Sequence, residues 1–388
     1  MQGKLLMNFI VFFSIFFILY AIINYYIFIR GLQVIPVNSN FRIYYKIIFI
    51  IVALSFFIGR TLENYWLNYF TITFVWIGSF WFAAMLYLTL AILLIDIARL
   101  INYIIPYFPG FIVNNYESFK QYLAIGIISS VIIILTIGHI NARNPVVKII
   151  PINISKKIEG MDSLSIAMIS DIHLGTIVGK KRFDSIIQKI NEVHPDIVLL
   201  PGDIVDEDLK PVIMQNLGET LCNIKSRYGV FAVTGNHEYI GGVEEASEYL
   251  KAHGVNVLRD EVVKVNNSLY IVGREDLSIT RFTGRKRKTL EQLLESVPPE
   301  YPIILMDHQP FNVDESARLN IDLQVSGHTH HGQLWPLNYI TNMIYEVSWG
   351  YRKDNKRHLY VSSGVGTWGP PVRLGNVPEI INFQISFE

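Results

Sequence analysis

The chain has 388 residues, 33 basic and 33 acidic side chains, and one cysteine, Cys222. That balance excludes a uniformly basic surface for nucleic acid, and a lone cysteine excludes an internal disulfide. The zero net charge conceals two unlike parts: residues 1–144 hold eight Lys/Arg against three acids, net +5, and the rest of the chain is −5.

The first predicted elements are apolar. Residues 5–29, 44–59, 69–95 and 122–140 form hydrophobic runs that reach or approach the roughly 20 residues needed to span a bilayer. Lipid cannot hydrogen-bond an exposed backbone, so these runs are expected as helices. Further runs follow the first, which argues against a cleaved signal peptide. Asp96 and Arg99, near the end of the third run, are placed to pair and to reach the membrane interface. Loop charges do not choose an orientation. Arg30, Arg42, Lys46, Arg99 and Lys120 lie on one side, and Lys4, Arg60, Arg143, Lys148, Lys156 and Lys157 on the other.

The stretch NARNP at 141–145 ends the hydrophobic part and marks a boundary between an all-α transmembrane region, 1–144, and a second domain, 145–388. In that domain VVKIIPINI, SLSIAMIS, PDIVLLPGD, YGVFAVTGN, YPIILMDHQ, DLQVSGHTH and LYVSSGVG each read as a short strand closed by a turn signal. Helical stretches at 182–193, 243–253 and 290–296 lie between several of them, the alternation of an α/β domain with a mainly parallel core. Cys222 falls on an expected helix. VVKVNNSLYIVG, turning at Asn266 and Asn267, reads as an antiparallel hairpin. The mixture predicts a layered sandwich.

Polar residues concentrate where these strands stop. SLSIAMIS runs into Asp171 and His173, PDIVLLP into Gly202 and Asp203, and VFAVT into Gly235, Asn236, His237 and Glu238. PIILM runs into Asp307 and His308, and DLQVS into Gly327, His328 and His330. In α/β sheets the carboxyl ends of strands are where ligands bind. Asp171, His173, Asp203, Asn236, His308, His328 and His330 make seven donors, too many for one tetrahedral zinc, which takes about four. A shared carboxylate lets seven side chains serve two ions. Carboxylate, amide and imidazole donors suit Mn first, with Fe or Zn as alternatives, better than Ca or Mg. Two such ions about 3.5–4 Å apart suit in-line displacement at phosphorus.

The ordered series DIH, GD, GNHE, a lone His after a strand, and GHTH resembles the signature blocks of the calcineurin-like metallophosphoesterases over roughly residues 165–370. GHTHHGQ, SWGY and SSGVGTWGPP resemble the bacterial branch with membrane-attached or exported members. The resemblance stops short of the hydrophobic region. It implies a four-layer α/β/β/α sandwich preceded by an all-α transmembrane region of about four helices. It places Asp171, His173, Asp203 and His330 on one ion and Asp203, Asn236, His308 and His328 on the other, with Asp203 bridging. It makes His237 the general acid near the leaving group, a metal-bridging hydroxide the nucleophile, and His331 a neighbour without a ligand's role. Exported relatives favour an extracytoplasmic domain.

The expected function is a multi-pass membrane phosphoesterase in the cell membrane. It would act on a phosphodiester or a phosphorylated small-molecule, lipid or cell-envelope substrate, with the bilayer as partner and no nucleic acid. A nucleotide phosphodiesterase or nuclease is the alternative enzyme, and a non-catalytic phospho-ligand sensor or transporter the alternative of another class. Few ionisable residues lie inside the spans, which speaks against a transport path. Around the site, Glu238 is expected to orient neighbours or cap a helix, and Asp307 to orient an imidazole or sit plainly at a strand end. Arg281–Lys288 reads as a solvated basic loop or an anion-attracting one. TWGPPVR reads as a rigid rim with Arg373 open to a phosphate, or as a packed closing loop.

Overall fold

The structure, a computed structural model, describes residues 2–158, 160–267 and 269–388. The chain divides into two units: Met1–His139 with Gly369–Val372, and Ile140–Trp368 with Arg373–Glu388. The first is helical, with α1 (Gln2–Val34), α2 (Phe41–Glu63), α3 (Tyr69–Ile104), the short α4 (Gly110–Asn114) and α5 (Tyr116–Ala142). Four of these, all but α4, are long and apolar enough to cross a membrane. The run at 44–59, the shortest in the sequence, becomes a helix of 23 residues. Some polar groups inside this apolar unit find partners there, as a bilayer favours: Tyr20 donates to the Ala53 carbonyl at 2.6 Å and the Trp81 indole to Asn24 at 2.9 Å. Asp96 does pair with Arg99, at 3.4 Å, but its tighter partners come from α1, Arg30 and Tyr26, both at 2.6 Å.

The second unit holds β1 (Val146–Ile154), β2 (Ser163–Met168), β3 (Ile197–Pro201), β4 (Val230–Val233), β5 (Val255–Val257) and β6 (Glu261–Val265). It continues with β7 (Leu269–Gly273), β8 (Ile303–Met306), β9 (Leu323–Ser326), β10 (Gly350–Asp354), β11 (Arg357–Val361) and β12 (Glu379–Phe387). They form two six-stranded sheets, ordered β1-β12-β2-β3-β4-β5 and β10-β11-β9-β8-β7-β6. β2 to β5 are parallel, as are β7, β8, β9 and β11. The hairpin at 262–273 is the antiparallel pair of β6 and β7.

Side-chain alternation builds the layers, because successive residues of a strand face opposite sides. Leu164, Ile166 and Met168 of β2 and Ile197 and Leu199 of β3 pack against Ile271, Ile304, Met306 and Val325 of the other sheet. Their neighbours Ala167, Val198 and Leu200 point outward onto helices, notably α6 (Lys180–Glu192). Phe183, Ile186, Ile187 and Ile190 line the buried stripe of α6 at helical spacing. On the far side Val272, Ile303 and Leu305 pack under Leu290 and Leu293. The result is the expected α/β/β/α sandwich.

Sequence reading missed three strands, β5, β10 and β12. β12 is the consequential one: it lies between β1, to which it is parallel, and β2, to which it is antiparallel. Its buried Ile381, Phe383 and Ile385 alternate as a strand should. Cys222 sits just beyond the short helix Leu217–Leu221, as its exposed cap, rather than within it.

Candidate metal centre

β2, β3 and β4 of one sheet and β8 and β9 of the other all end at the same edge. The carboxyl ends of the first three carry Asp171 and His173, Asp203, and Asn236 and His237. Those of the other two carry His308, and His328 and His330. Backbone bonds bind these turns together: Asp171 N–H donates to the Gly202 carbonyl and His173 N–H to that of Asp203, each at 3.1 Å, and Gly327 N–H to that of His308 at 2.9 Å.

The backbone at this edge is unusual. Asp171, His173, Asp203, His328 and His330 adopt left-handed φ between 46° and 72°, a conformation that costs about 1–3 kcal/mol per non-glycine residue and persists only where its surroundings enforce it. Two glycines let the strands approach. A Cβ on Gly235 would lie 2.2 Å from Asp203 Oδ1, and one on Gly327 would lie 2.2 Å from Asp171 Oδ2.

Glu238 is a main enforcer. Its buried carboxylate accepts the N–H groups of Ile204 (2.7 Å), Gly235 (2.7 Å), Val205 (2.9 Å) and Asp203 (3.2 Å). It therefore caps its own helix and pins the Asp203 turn, which agrees with the expected orienting role. Glu238→Ala leaves these four donors without an acceptor at about 1–3 kcal/mol each. We expect the melting temperature to fall by roughly 10 °C or more, read by calorimetry.

The side chains converge as three overlapping triads: Asp171, His173 and His330; His173, Asp203 and His237; and Asp203, His308 and His328. Within each, the ligand atoms lie within 4.8 Å of one another. Asp203 belongs to two triads. Asn236 joins through its side-chain oxygen, 3.3 Å from His308 Nε2. Thus all seven residues singled out in the sequence come together, and His237 stands beside them.

The electrostatics favour cations. Burial alone would raise the Asp203 carboxyl, but the charges of His308 and His237 pull it well below the usual carboxylate range. Burial pushes the His308 ring down, yet the Asp203 charge and hydrogen bond at 3.2 Å lift it well above the ordinary value. His237 is likewise depressed by burial but raised to about 9 by Asp203, Asp206 and Glu207. His328 and His330 go the other way. Burial, reinforced by the charge of a neighbouring histidine, lowers His328 to about 3 and His330 well below its ordinary value. Neutral imidazoles are what metal binding requires.

The residues fit divalent cations on a further observation. Asp171 Oδ2 is buried and has no hydrogen-bond partner among the described residues, although an isolated buried carboxylate oxygen is costly. Close by, His173 Nε2 and His330 Nε2 face each other at 3.0 Å. Two carboxylates, an amide oxygen and four imidazoles form a donor set for borderline metals.

Several neighbours decide between alternatives that the sequence leaves open. Arg373 is fully buried and closed to a phosphate: its guanidinium donates to the Ser363 and Gly366 carbonyls, to Asn376 and, at 3.2 Å, to His330 Nδ1. It supports His330 instead. After burial and the charge of His173, the adjacent guanidinium charge helps keep the His330 ring neutral. Asp307 does not orient an imidazole; Arg287 (2.8 Å) and Arg274 (3.2 Å) hold its carboxylate. His308 instead donates from Nδ1 to the Pro201 carbonyl at 2.8 Å. Of the basic stretch, Arg287 is therefore structural, while Arg281 and Arg285 are exposed. His331 turns away from the triads, bonding Ser348 at 2.9 Å and lying 5.0 Å from the Trp349 ring.

Sequence reasoning missed Asp206. It is buried, with Oδ1 3.3 Å from His173 Nδ1 and 3.5 Å from His237 Nδ1. Its signal was the second acid of GDIVD, three residues after Asp203.

Comparison with known proteins agrees with this geometry. A family model described as calcineurin-like phosphoesterase matches residues 164–332, which hold all seven donors. An uncharacterized metallophosphoesterase of Aquifex aeolicus is 33% identical over 229 residues, covering 58% of this chain and 87% of that protein. This chain belongs to the calcineurin-like phosphoesterases. Two proteins described as transmembrane protein with metallophosphoesterase domain, from Danio rerio and Bos taurus, are each 32% identical to it, over 281 and 264 residues. These matches cover 69% and 64% of this calcineurin-like chain but only 63% and 59% of the relatives.

Proposed function

We propose that the chain is a membrane-anchored phosphoesterase working with two divalent cations, manganese first. The carrying observation is the convergence of seven donors from five strands of two sheets, with Asp203 common to two triads. We assign Asp171, His173, Asp203 and His330 to one cation and Asp203, Asn236, His308 and His328 to the other. Bound there, the pair supplies an activated water for in-line displacement at phosphorus and neutralises charge on the phosphoryl oxygens.

The remaining work falls to side chains. His237, buried and drawn to its protonated form by Asp203, Asp206 and Glu207, donates the proton to the leaving oxygen. Asp206 orients His173 and His237 together. The exposed Trp368, 5.9 Å from the His237 ring, flanks the leaving-group side. Because the same chain carries four helices able to cross a membrane, a phosphodiester or a lipid or cell-envelope phosphate is the substrate class we favour.

The test is the purified full chain in detergent, loaded with manganese and given aryl phosphate mono- and diesters. Turnover that chelation removes and manganese restores supports the reading. A wild-type protein that binds no metal sinks it. We further place residues 145–388 outside the cytoplasm. Labelling of the exposed Cys222 by a membrane-impermeant thiol reagent in intact cells is expected; labelling only after lysis reverses the orientation.

A further inference from the structure

One surface beside the site is built unlike the rest of its unit. The fourteen positions 332–345, GQLWPLNYITNMIY, contain no charged residue. They include the helix Asn338–Ile344, which buries none of its residues. Tyr339 (60% exposed), Ile340, Met343 (79% exposed) and Ile344 stand in the open, preceded by the exposed Trp335. Contiguous apolar patches of this kind mark interaction surfaces.

The segment is fastened to the metal centre at both ends. It begins at Gly332, the last residue of the 3-10 turn that starts at His330. It ends at Tyr345, whose ring lies 6.0 Å from that of His328 and 4.9 Å from that of Phe311. Near its start the Gln333 amide exchanges two hydrogen bonds with the Trp368 backbone, at 2.9 and 3.0 Å. Trp368 in turn flanks His237. The segment is therefore tied to the site through Trp368 near its start and through Tyr345 at its end.

We propose that this lip docks into the headgroup region of a phospholipid bilayer and presents a membrane-resident phosphoester to the site. The chemistry selects lipid over a protein partner. The segment lacks the charges that penetration would have to desolvate, its Trp and Tyr residues are those that settle at the membrane interface, and short apolar-faced helices lie in that plane. The chain brings its own bilayer through the four candidate spans. The substrate half of this inference rests on the phosphoesterase reading; the docking half does not.

The test uses the full chain reconstituted in phosphatidylcholine vesicles, with Cys222→Ser and Met343→Cys carrying an environment-sensitive fluorophore. Tyr339→Cys provides a second position should the first variant misfold. Docking predicts quenching by nitroxide-labelled lipids and protection from iodide in the water. Quenching by iodide alone overturns it, as does protection from both quenchers, which means a protein surface or a second copy covers the lip. In parallel, Met343→Asp is expected to lower the ratio of phospholipid to soluble aryl-ester turnover at least tenfold. An unchanged ratio overturns the presentation step. A wild type that hydrolyses neither substrate, yet shows lipid quenching, condemns the phosphoesterase reading and leaves docking supported.

Discussion

Replacing Asp203 by alanine is expected to abolish phosphoester hydrolysis and to deplete both cation positions together. Its Oδ2 lies 3.2 Å from His308 Nε2 and 3.9 Å from His173 Nε2, and its Oδ1 accepts the His237 N–H at 2.9 Å. Among the described residues, no other belongs to two triads through a carboxylate. A cation's Lewis acidity is worth several kcal/mol of transition-state stabilisation, and about 4 kcal/mol corresponds to roughly 10³-fold in rate. Turnover of an aryl ester should fall by at least that much, with metal content measured on the same sample. Asp203→Ala that keeps two metals per chain and wild-type turnover would refute the assignment.

His237→Gln carries the second large effect, and it should depend on the leaving group. A proton donor is worth about 10²–10⁴-fold when the leaving oxygen is a basic alkoxide, and far less for a nitrophenolate that departs unprotonated. We therefore expect alkyl diesters to lose that factor, aryl esters to lose little, and metal content to hold. The donor must keep its proton, so activity is full below the ring's pKa and lost as pH rises through it. Asp203, Asp206 and Glu207 set that value at about 9 against burial, and bound cations lower it. Wild-type turnover of alkyl diesters should show an alkaline limb at or below about pH 9 that His237→Gln removes. An equal loss on both ester types points to a structural histidine instead.

The donors could be read from the sequence because their signal is local: an apolar run, a glycine, then Asp, Asn or His, repeated in order. What surrounds them is not local. Arg373, in a loop of prolines and glycines, reads as a solvent-facing residue, and only tertiary packing turns it inward onto His330. Asp307 adjoins His308 in sequence, but Arg274, just past β7, and Arg287, in a later loop, claim it. Asp206 lies close enough to Asp203 to look like a loop acid, and its two histidine partners arrive from different strands. The left-handed backbone at Asp171 and His173 leaves no mark in residue type. β12 escaped because its pairing partners are remote, though its alternation is visible once the strand is known.

That remoteness bears on how the protein is made. Val146 of β1 pairs with Glu379 of β12, and Met168 of β2 with Ile381, more than two hundred positions downstream in each case. Loop closure over such spans slows folding. Until the distant strand arrives, β1 and β2 present unpaired edges, the surfaces most prone to joining the wrong neighbour. The membrane helices, β1 and β2 are therefore all synthesised before the strand that joins the last two of them.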